Sequence, residues 1–463
     1  VARFDVPEGW TAQAYRFALD PSPAQERALR SHAGGARKAY NTMLALVKAT
    51  MGQRQAERSY GIAGAGLTPA LNWSLAGLRK EWNRRKDDAA PWWAENSKEA
   101  YNSGLDALAR GLGAWSKSKK GERAGAAIGF PKFKSARSRR SVRFTTGTLR
   151  VEAGRHHVTL PRLGRIRTHE STRKLARRIE AGTARVLSAT VSEDAAGRWH
   201  VAFQVIVRRS AGVPGHAGAE VPAVGVDVGV KADSLLVTAA PDGREIERVP
   251  APKSLTAAQA RLRALQRKAA RQQGIGRTHA HAAAVRRDAL NKATTSLAQR
   301  HQVITVETLN ASGMRSAGGA RKRGLNRALA DAALAEVRRM LGYKAKWYGS
   351  TLVAAGRYYP SSKFCSGCGR RKPNLTLADR TYACDYCGLR IDRDLNAAVN
   401  LARLGETRLG EQSPAGSGPV AGRGATRETE PARAGDAGGR ETSTPHQQQP
   451  GKTGTASPQG EAA

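Results

Sequence analysis

Val221-Pro-Ala-Val-Gly-Val-Asp-Val-Gly229 is the stretch on which the architecture turns. Its apolar residues follow one another without helical spacing, as in a strand covered on both faces. A single acidic residue, Asp227, stands in that run between Gly225 and Gly229. Downstream, Asp233 to Ala240 is a second apolar run, Pro241-Asp242-Gly243 a turn, and Arg244 to Val249 a third strand. The sheet is therefore hairpin-rich and carries a carboxylate in its first strand.

Working outward, two stretches near 255–273 and 278–300 read as helices rich in Arg and Lys, suited to lie beside a nucleic-acid duplex. Gln302-Val303-Ile304-Thr305-Val306-Glu307 is another apolar strand, ending in a lone carboxylate. A helix over roughly 326–348 and a strand near 351–359 follow, and Asp392-Arg393-Asp394-Leu395-Asn396-Ala397-Ala398 opens a last helix that runs through Leu401. Phosphodiester hydrolysis by two metal ions needs anionic oxygen ligands that hold Mg²⁺ ions about 4 Å apart. Asp227 would bridge both ions, Glu307 would bind one, and Asp394 at a helix N-terminus would complete the site. Taken singly, a strand-end Glu is normally solvated, and Asp394 would be a helix N-terminal charge favoured by the macrodipole. Order and context make them a triad, with Asp392 the rival for the third place. An Asp-bearing hairpin sheet followed by these elements reads as an RNase H-like domain.

All four cysteines fall in one segment, Cys365-Ser-Gly-Cys368 and Cys384-Asp-Tyr-Cys387, giving C-x₂-C-x₁₅-C-x₂-C. Two knuckles with converging sulfurs make a closed tetrahedral Cys₄ site for structural Zn²⁺, and a disulfide scaffold would spread its cysteines through a short chain. Gly369 and Gly388, directly after each pair, relieve the tight turns. Loss of zinc should unfold this insertion and displace Asp394.

The first half reads differently. Tyr15 to Leu19 is a short strand, stopped by Asp20-Pro21; Ser22, Pro23 and Gln25 form an N-cap, a first-turn proline and a capping box. Leu29, Ala33, Ala36, Tyr40, Met43, Leu44 and Val47 are spaced for a helix, with Gly34-Gly35 expected to interrupt it. The helical stretch 68–118 holds five of the eight tryptophans, which fit a helical core better than a base-stacking surface. Residues 119–144 are strongly basic around Gly129-Phe130-Pro131-Lys132-Phe133-Lys134-Ser135, and short alternating strands run from Val142 to Val207. The expected class is a multidomain α+β and α/β chain. Residues 1–215 form a β-barrel-like nucleic-acid-binding domain with a helical insertion at about 24–118, and 209–222 a linker. The nuclease domain spans 222–360 and 391–405, split by a zinc ribbon at 361–390. Residues 406–463, rich in Gly, Pro, Ser, Thr and Gln and near zero net charge, are expected to be disordered.

The chain has 77 Lys and Arg against 38 Asp and Glu, a net charge of +39. Such an excess self-repels unless a polyanion offsets it, and nucleic acid is the obvious partner. No apolar run of membrane-spanning length, signal peptide or lipidation motif is evident. No membrane partner is therefore expected, and the protein should be cytoplasmic.

Tyr15–Leu19 with its Pro-Ser-Pro start, Gly129–Ser135, Gly225-Val-Asp-Val-Gly229, Val306-Glu307, Ser361-Ser-Lys-Phe-Cys365 and Asp392–Ala398 together resemble the TnpB family of transposon-encoded nucleases. The resemblance spans positions 15 to about 404 and is most specific in the terminal block. It implies a guide RNA transcribed from the transposon end, recognition of a short motif beside a double-stranded target DNA, and cleavage of both strands at one RuvC-like site. It also implies that Asp227, Glu307 and Asp394 are the three RuvC carboxylates, and it puts Arg380 where relatives often carry an active-site arginine. A monomer is expected. The competing readings are a nuclease-inactive DNA-binding protein and an unguided DNA-processing enzyme of the transposon.

Overall fold

The computed structural model describes residues 5–209, 218–267, 272–315, 322–376 and 379–412. In the first half, β1 (Trp10–Asp20) is followed by α1 (Pro23–Ser59), α2 (Leu75–Ala89) and α3 (Lys98–Lys119). Then come β2 (Ser141–Phe144), β3 (Arg150–Val151), β4 (His157–Leu160), β5 (Gly164–Thr168), α4 (Arg173–Glu180), β6 (Ala184–Glu193) and β7 (Trp199–Arg208). The strands pair in the order β2-β6-β7-β1-β5-β4-β3. β1 runs antiparallel to β7 from Trp10 to Ala18, then transfers to β5 at Leu19 and Asp20. That transfer bends the sheet around one core, in which Phe17, Phe144, Ile166, Leu175 and Phe203 are buried together. Among the described residues no ladder joins β2 to β3. The expected barrel is thus a bent open sheet, with β2 and the two-residue β3 as its unpaired edges.

The α1 start is as expected: Ser22 accepts from the Gln25 N–H while the Gln25 side chain accepts from the Ser22 N–H. The expected break at Gly34-Gly35 is absent, and α1 continues for 37 residues. The reason is packing. A Cβ on Gly35 would lie 3.0 Å from the Tyr101 ring, and one on Gly104 of α3 would lie 2.0 Å from the Ala36 carbonyl oxygen. Small residues here let two helices cross at backbone distance. The tryptophans mostly fill that helical core. Trp82 is buried and stacks on Tyr101, while Trp115 packs edge-on against Trp73 and Phe130.

The second half is built on β8 (Ala223–Val228), β9 (Leu236–Ala239), β10 (Glu245–Val249), β11 (Val303–Val306) and β12 (Thr351–Ala354). They pair in the order β10-β9-β8-β11-β12. The first three form antiparallel hairpins, and β8, β11 and β12 are parallel. Parallel neighbours require crossovers. These are α5 (Ser254–Ala257), α6 (Gln259–Arg267) and α7 (Gln272–Arg300) before β11, then α8 (Ala311–Arg315), α9 (Arg323–Ala332) and α10 (Leu334–Tyr348) before β12. The single helix expected over 326–348 is two, parted at Ala333, whose φ of +49° cannot continue a right-handed helix. Just before the break, buried Asp331 accepts from the Leu255 and Thr256 N–H groups and so caps α5.

A two-stranded ribbon, β13 (Thr381–Ala383) and β14 (Arg390–Asp392), leads into α11 (Arg393–Gln412). The first seven positions expected to be disordered, 406–412, therefore belong to this helix. Its packing onto the sheet explains the extension: a Cβ on Gly405 would lie 2.3 Å from the Thr305 hydroxyl. The rest of the expected tail, 413–463, and most of the expected linker, 210–217, lie outside the described residues. Among the described residues no helix is long and apolar enough to cross a membrane.

Candidate active site and metal centre

The register of two parallel strands sets the first pair of carboxylates. Val226 of β8 is opposite Val306 of β11. One step further come Asp227, still in β8, and Glu307, just past the end of β11, on neighbouring strands spaced about 4.8 Å apart. The third carboxylate arrives from above. α11 lies against β8 so closely that a Cβ on Gly225 would sit 1.9 Å from the Ala398 carbonyl oxygen. Gly225 is thus needed for close approach, and the contact brings the first turn of α11, with Asp394, over the end of β8.

Electrostatics report the convergence. Asp227 keeps a little solvent contact, yet its carboxyl is held well above the usual carboxylate range. Burial is the largest cause, followed by the negative charges of Glu307 and Asp394; Arg393 and Lys231 oppose them. Asp227 thus feels the charges of both Glu307 and Asp394, whereas among the described residues only the four cysteines lie close enough together to be grouped as a metal-holding set. The neighbours hold the outer two in place. The Lys231 ammonium pairs with Asp394 Oδ2, and the Ser234 hydroxyl donates to the same oxygen at 3.3 Å. The hydroxyl of buried Ser361 donates to Glu307 Oε1. Asp392, the rival third carboxylate, is committed elsewhere. Its Oδ1 accepts the N–H groups of Asp394 and Leu395, both at 3.0 Å, as the cap of α11, and it faces Arg248. Arg380 is exposed, and its carbonyl accepts from the Arg393 N–H at 2.9 Å.

The four cysteines come together. Cys365 Sγ lies 3.5 Å from Cys387 Sγ, Cys368 Sγ lies 3.6 Å from Cys384 Sγ, and all four sulfurs are within 4.8 Å of one another. These separations are too long for disulfides and close to the ~3.8 Å edge of a tetrahedron with 2.3 Å metal–sulfur bonds. The set can hold a metal ion. Gly369 and Gly388 take φ of +72° and +71°, and their N–H groups close each knuckle onto the Cys365 and Cys384 carbonyls.

Sequence reasoning missed the side chains that join this cluster to the carboxylates. Asn396, fully buried, accepts from the Ser366 N–H at 2.9 Å and donates to the Phe364 carbonyl at 2.7 Å. Asn400, one turn on, donates to the Ser361 and Phe364 carbonyls, both at 2.8 Å. Two asparagines four residues apart on a helix with Asp394 in its first turn were a readable signal of one polar face. Ser361 was visible only as the first residue of the Ser361–Cys365 piece of the resemblance, with no role attached, and Lys231 gave no signal, because their partners are distant in the chain.

Comparison with known proteins finds relatives along most of the chain. A family model described as "Probable transposase" matches residues 217–317, which include Asp227 and Glu307. One described as "Cas12f1-like, TNB domain" matches 335–401, with all four cysteines and Asp394. A third, described as "Helix-turn-helix domain", matches 11–56, which here form a strand and one unbroken helix. A Mycobacterium tuberculosis protein named "Putative RNA-guided DNA endonuclease" is 41% identical, the alignment covering 95% of each chain. The Escherichia coli protein named "Putative RNA-guided DNA endonuclease InsQ" is 30% identical over 86% of this chain and 93% of its own. A structure titled "Cryo-EM structure of the Cas12f1-sgRNA-target DNA complex" aligns with 85% of this chain and 99% of its own, at 15% identity and a TM-score of 0.31. With relatives at this identity and coverage along nearly the whole chain, the protein belongs to the TnpB family.

Proposed function

We propose that this chain is an RNA-guided endonuclease of double-stranded DNA encoded by a transposable element, cutting phosphodiester bonds at a RuvC-like site. The observation that carries the proposal is geometric: Asp227 and Glu307 follow the paired Val226 and Val306 of adjacent parallel strands, and α11, with Asp394 in its first turn, packs directly on β8. The mixed sheet order supports an RNase H-like domain over 222–360 and 391–405, interrupted by a Zn²⁺ ribbon at 361–390. The names of the relatives support guide RNA and DNA as partners.

Asp227, Glu307 and Asp394 would hold Mg²⁺, which when bound activates the attacking water and stabilises the leaving oxygen. The chain's own contribution is placement. β8 and β11 fix the first two carboxylates in register, and α11 brings the third. Ser361 holds Glu307 by a hydrogen bond, while Lys231 holds Asp394 by an ion pair. Base pairing to the guide would supply sequence specificity, and the protein would read duplex shape and a short flanking motif.

The test begins with the Asp227→Ala protein purified from cells carrying the native flanking DNA, and sequencing of the RNA that accompanies it. One discrete RNA mapping to the element's end and running past it is expected. Wild-type protein with that RNA should cut a matching duplex in Mg²⁺, and Asp227→Ala should cut at least about a thousandfold more slowly. Random RNA fragments would sink the guided reading; undiminished cleavage by the variant would sink the site.

A further inference from the structure

The basic segment 119–144 takes no part in the carboxylate site, yet it is firmly anchored. Asn41 on α1 clamps the backbone of Lys134 at both polar groups, accepting its N–H and donating to its carbonyl, each at 2.9 Å. Phe130 packs against Trp115, and Pro131 lies against Gly111 of α3. The segment is therefore held in place, with two cavities along it.

One cavity of about 620 Å³ is lined by Arg16 of β1, Arg137, Arg139, Arg140 and the β6–β7 turn. The other, of about 250 Å³, is lined by Arg37 of α1, Lys134, Arg139 and Arg140. Ser138, Arg139 and Arg140 belong to both, so the two make one groove. Its acidic groups are already engaged: Glu193 pairs with Arg140, and Asp194 with Arg198 at 3.3 Å. Among the described residues Arg16, Arg37, Lys134, Arg137 and Arg139 have no carboxylate partner. The crowding is felt at Arg16, whose proton affinity is lowered by partial burial and then by Arg287, Arg139 and Arg198, with Asp194 opposing. Arg287 comes from α7, whose Gly276 approaches the β6–β7 turn so closely that a Cβ there would lie 2.1 Å from the Ala195 carbonyl oxygen. The groove thus lies where the first-half sheet meets a nuclease-half helix.

Unpaired guanidinium groups lining a channel match a run of phosphodiesters, which they bind through fork-shaped hydrogen bonds and counterion release. We propose that this groove, walled by residues 134–141, seats the sugar-phosphate backbone of a nucleic-acid strand, with Arg16, Arg37 and Arg139 as phosphate contacts. The proposal rests on the nucleic-acid reading above but not on cleavage. Phosphodiesters can come from guide RNA or from target DNA, and the test separates them.

The full chain carrying Asp227→Ala, so that nothing is cut, is compared with the same chain bearing Arg16→Gln, Arg37→Gln and Arg139→Gln. Affinity for a defined single-stranded RNA and for a DNA duplex of matching sequence is measured across a salt series. Losing three phosphate contacts should reduce the slope of log affinity against log salt by roughly two if the RNA occupies the groove, or nearly three if the DNA duplex does. A reduced slope on RNA alone assigns the groove to the guide; on DNA alone, to the target. Unchanged slopes on both, in a variant whose melting is unchanged, overturn the proposal whether or not the wild type cuts DNA. Should the triple variant fail to fold, Arg139→Gln alone should still reduce one slope, by about 0.7 on RNA or about 0.9 on duplex DNA, and two unchanged slopes would again overturn it.

Discussion

α11 has two faces, and they are held by different physics. Toward the five-stranded sheet it presents Ala398, Val399, Leu401 and Gly405, packed so closely that glycine stands on one side of each tightest contact. Toward the cysteine ribbon it presents Asn396, Asn400 and Arg403, which bind backbone groups of the first knuckle. The apolar face needs nothing beyond the chain, since buried area and close packing hold it. The polar face is conditional. The ribbon core is Cys365, Tyr382 and Cys384 with Leu375, Leu389 and Ile391 around them, too little to stand alone. Asp394 sits at the head of the helix between the two, so its position inherits both dependences.

Metal removal breaks this comparison most severely. Structural Cys₄ sites bind zinc with about 10–16 kcal/mol of apparent free energy, much of which is folding free energy. Chelation, or Cys384→Ser, should melt the ribbon and abolish cleavage while the seven-stranded sheet and its core persist. Hydrogen exchange resolved by segment checks this: protection should vanish over 361–392 and survive in β6 and β7. Uniform loss of protection would mean that the ribbon supports the whole fold.

The apolar face should fail next most severely. Gly225→Ala puts a methyl group into the Ala398 carbonyl, so α11 must lift from β8. The expected cost is about 3 kcal/mol or more, read as a lowered denaturation midpoint, with metal still bound at the ribbon. An unchanged midpoint would show that the helix can shift without loss.

How much of this was legible beforehand follows the same division. The Ser22 cap, the Asp227 strand and the cysteine spacing could be read because each signal is local: a capping box, an apolar run, a pair of knuckles. The continuity of α1 through Gly34-Gly35 could not, because it depends on Tyr101 and Gly104 pressing in from α3. Nor could the break at Ala333, beside an Asp331 that caps a helix more than seventy positions earlier. At the site, the three carboxylates stood out by type and order. Lys231 looks like an ordinary loop residue, and Ser361 like the mere start of a motif, until the fold sets them beside Asp394 and Glu307.

The carboxylates themselves give a smaller effect, dependent on pH. In the metal-free protein the folded Asp227 pKa is raised, mainly by burial and then by Glu307 and Asp394. Above about pH 4, where this carboxyl ionises in the unfolded chain, the unfolded state therefore holds fewer protons than the folded one. Stability must then fall as pH rises, by at most about 1.4 kcal/mol per unit for one proton, until the folded pKa is passed. Asp227→Asn should melt higher than wild type without metal, by a margin that widens with pH. Mg²⁺ should narrow the margin, because it neutralises the same charge. A pH-independent margin would mean that the three groups do not share one field.

Asn396→Ala tests the polar face with the least disturbance. The change leaves the Ser366 N–H without its acceptor, whereas the Phe364 carbonyl keeps Asn400 as a donor. One buried orphan donor costs about 1–3 kcal/mol, so the loss with metal bound should be about 2 kcal/mol. Without metal the knuckle has already released the helix, and the same substitution should cost almost nothing. The difference between the two conditions is the coupling between ribbon and helix, measured as in a double-mutant cycle. If Asn396→Ala costs the same with and without metal, the knuckle keeps its shape unaided, and both faces of α11 are held by the chain alone.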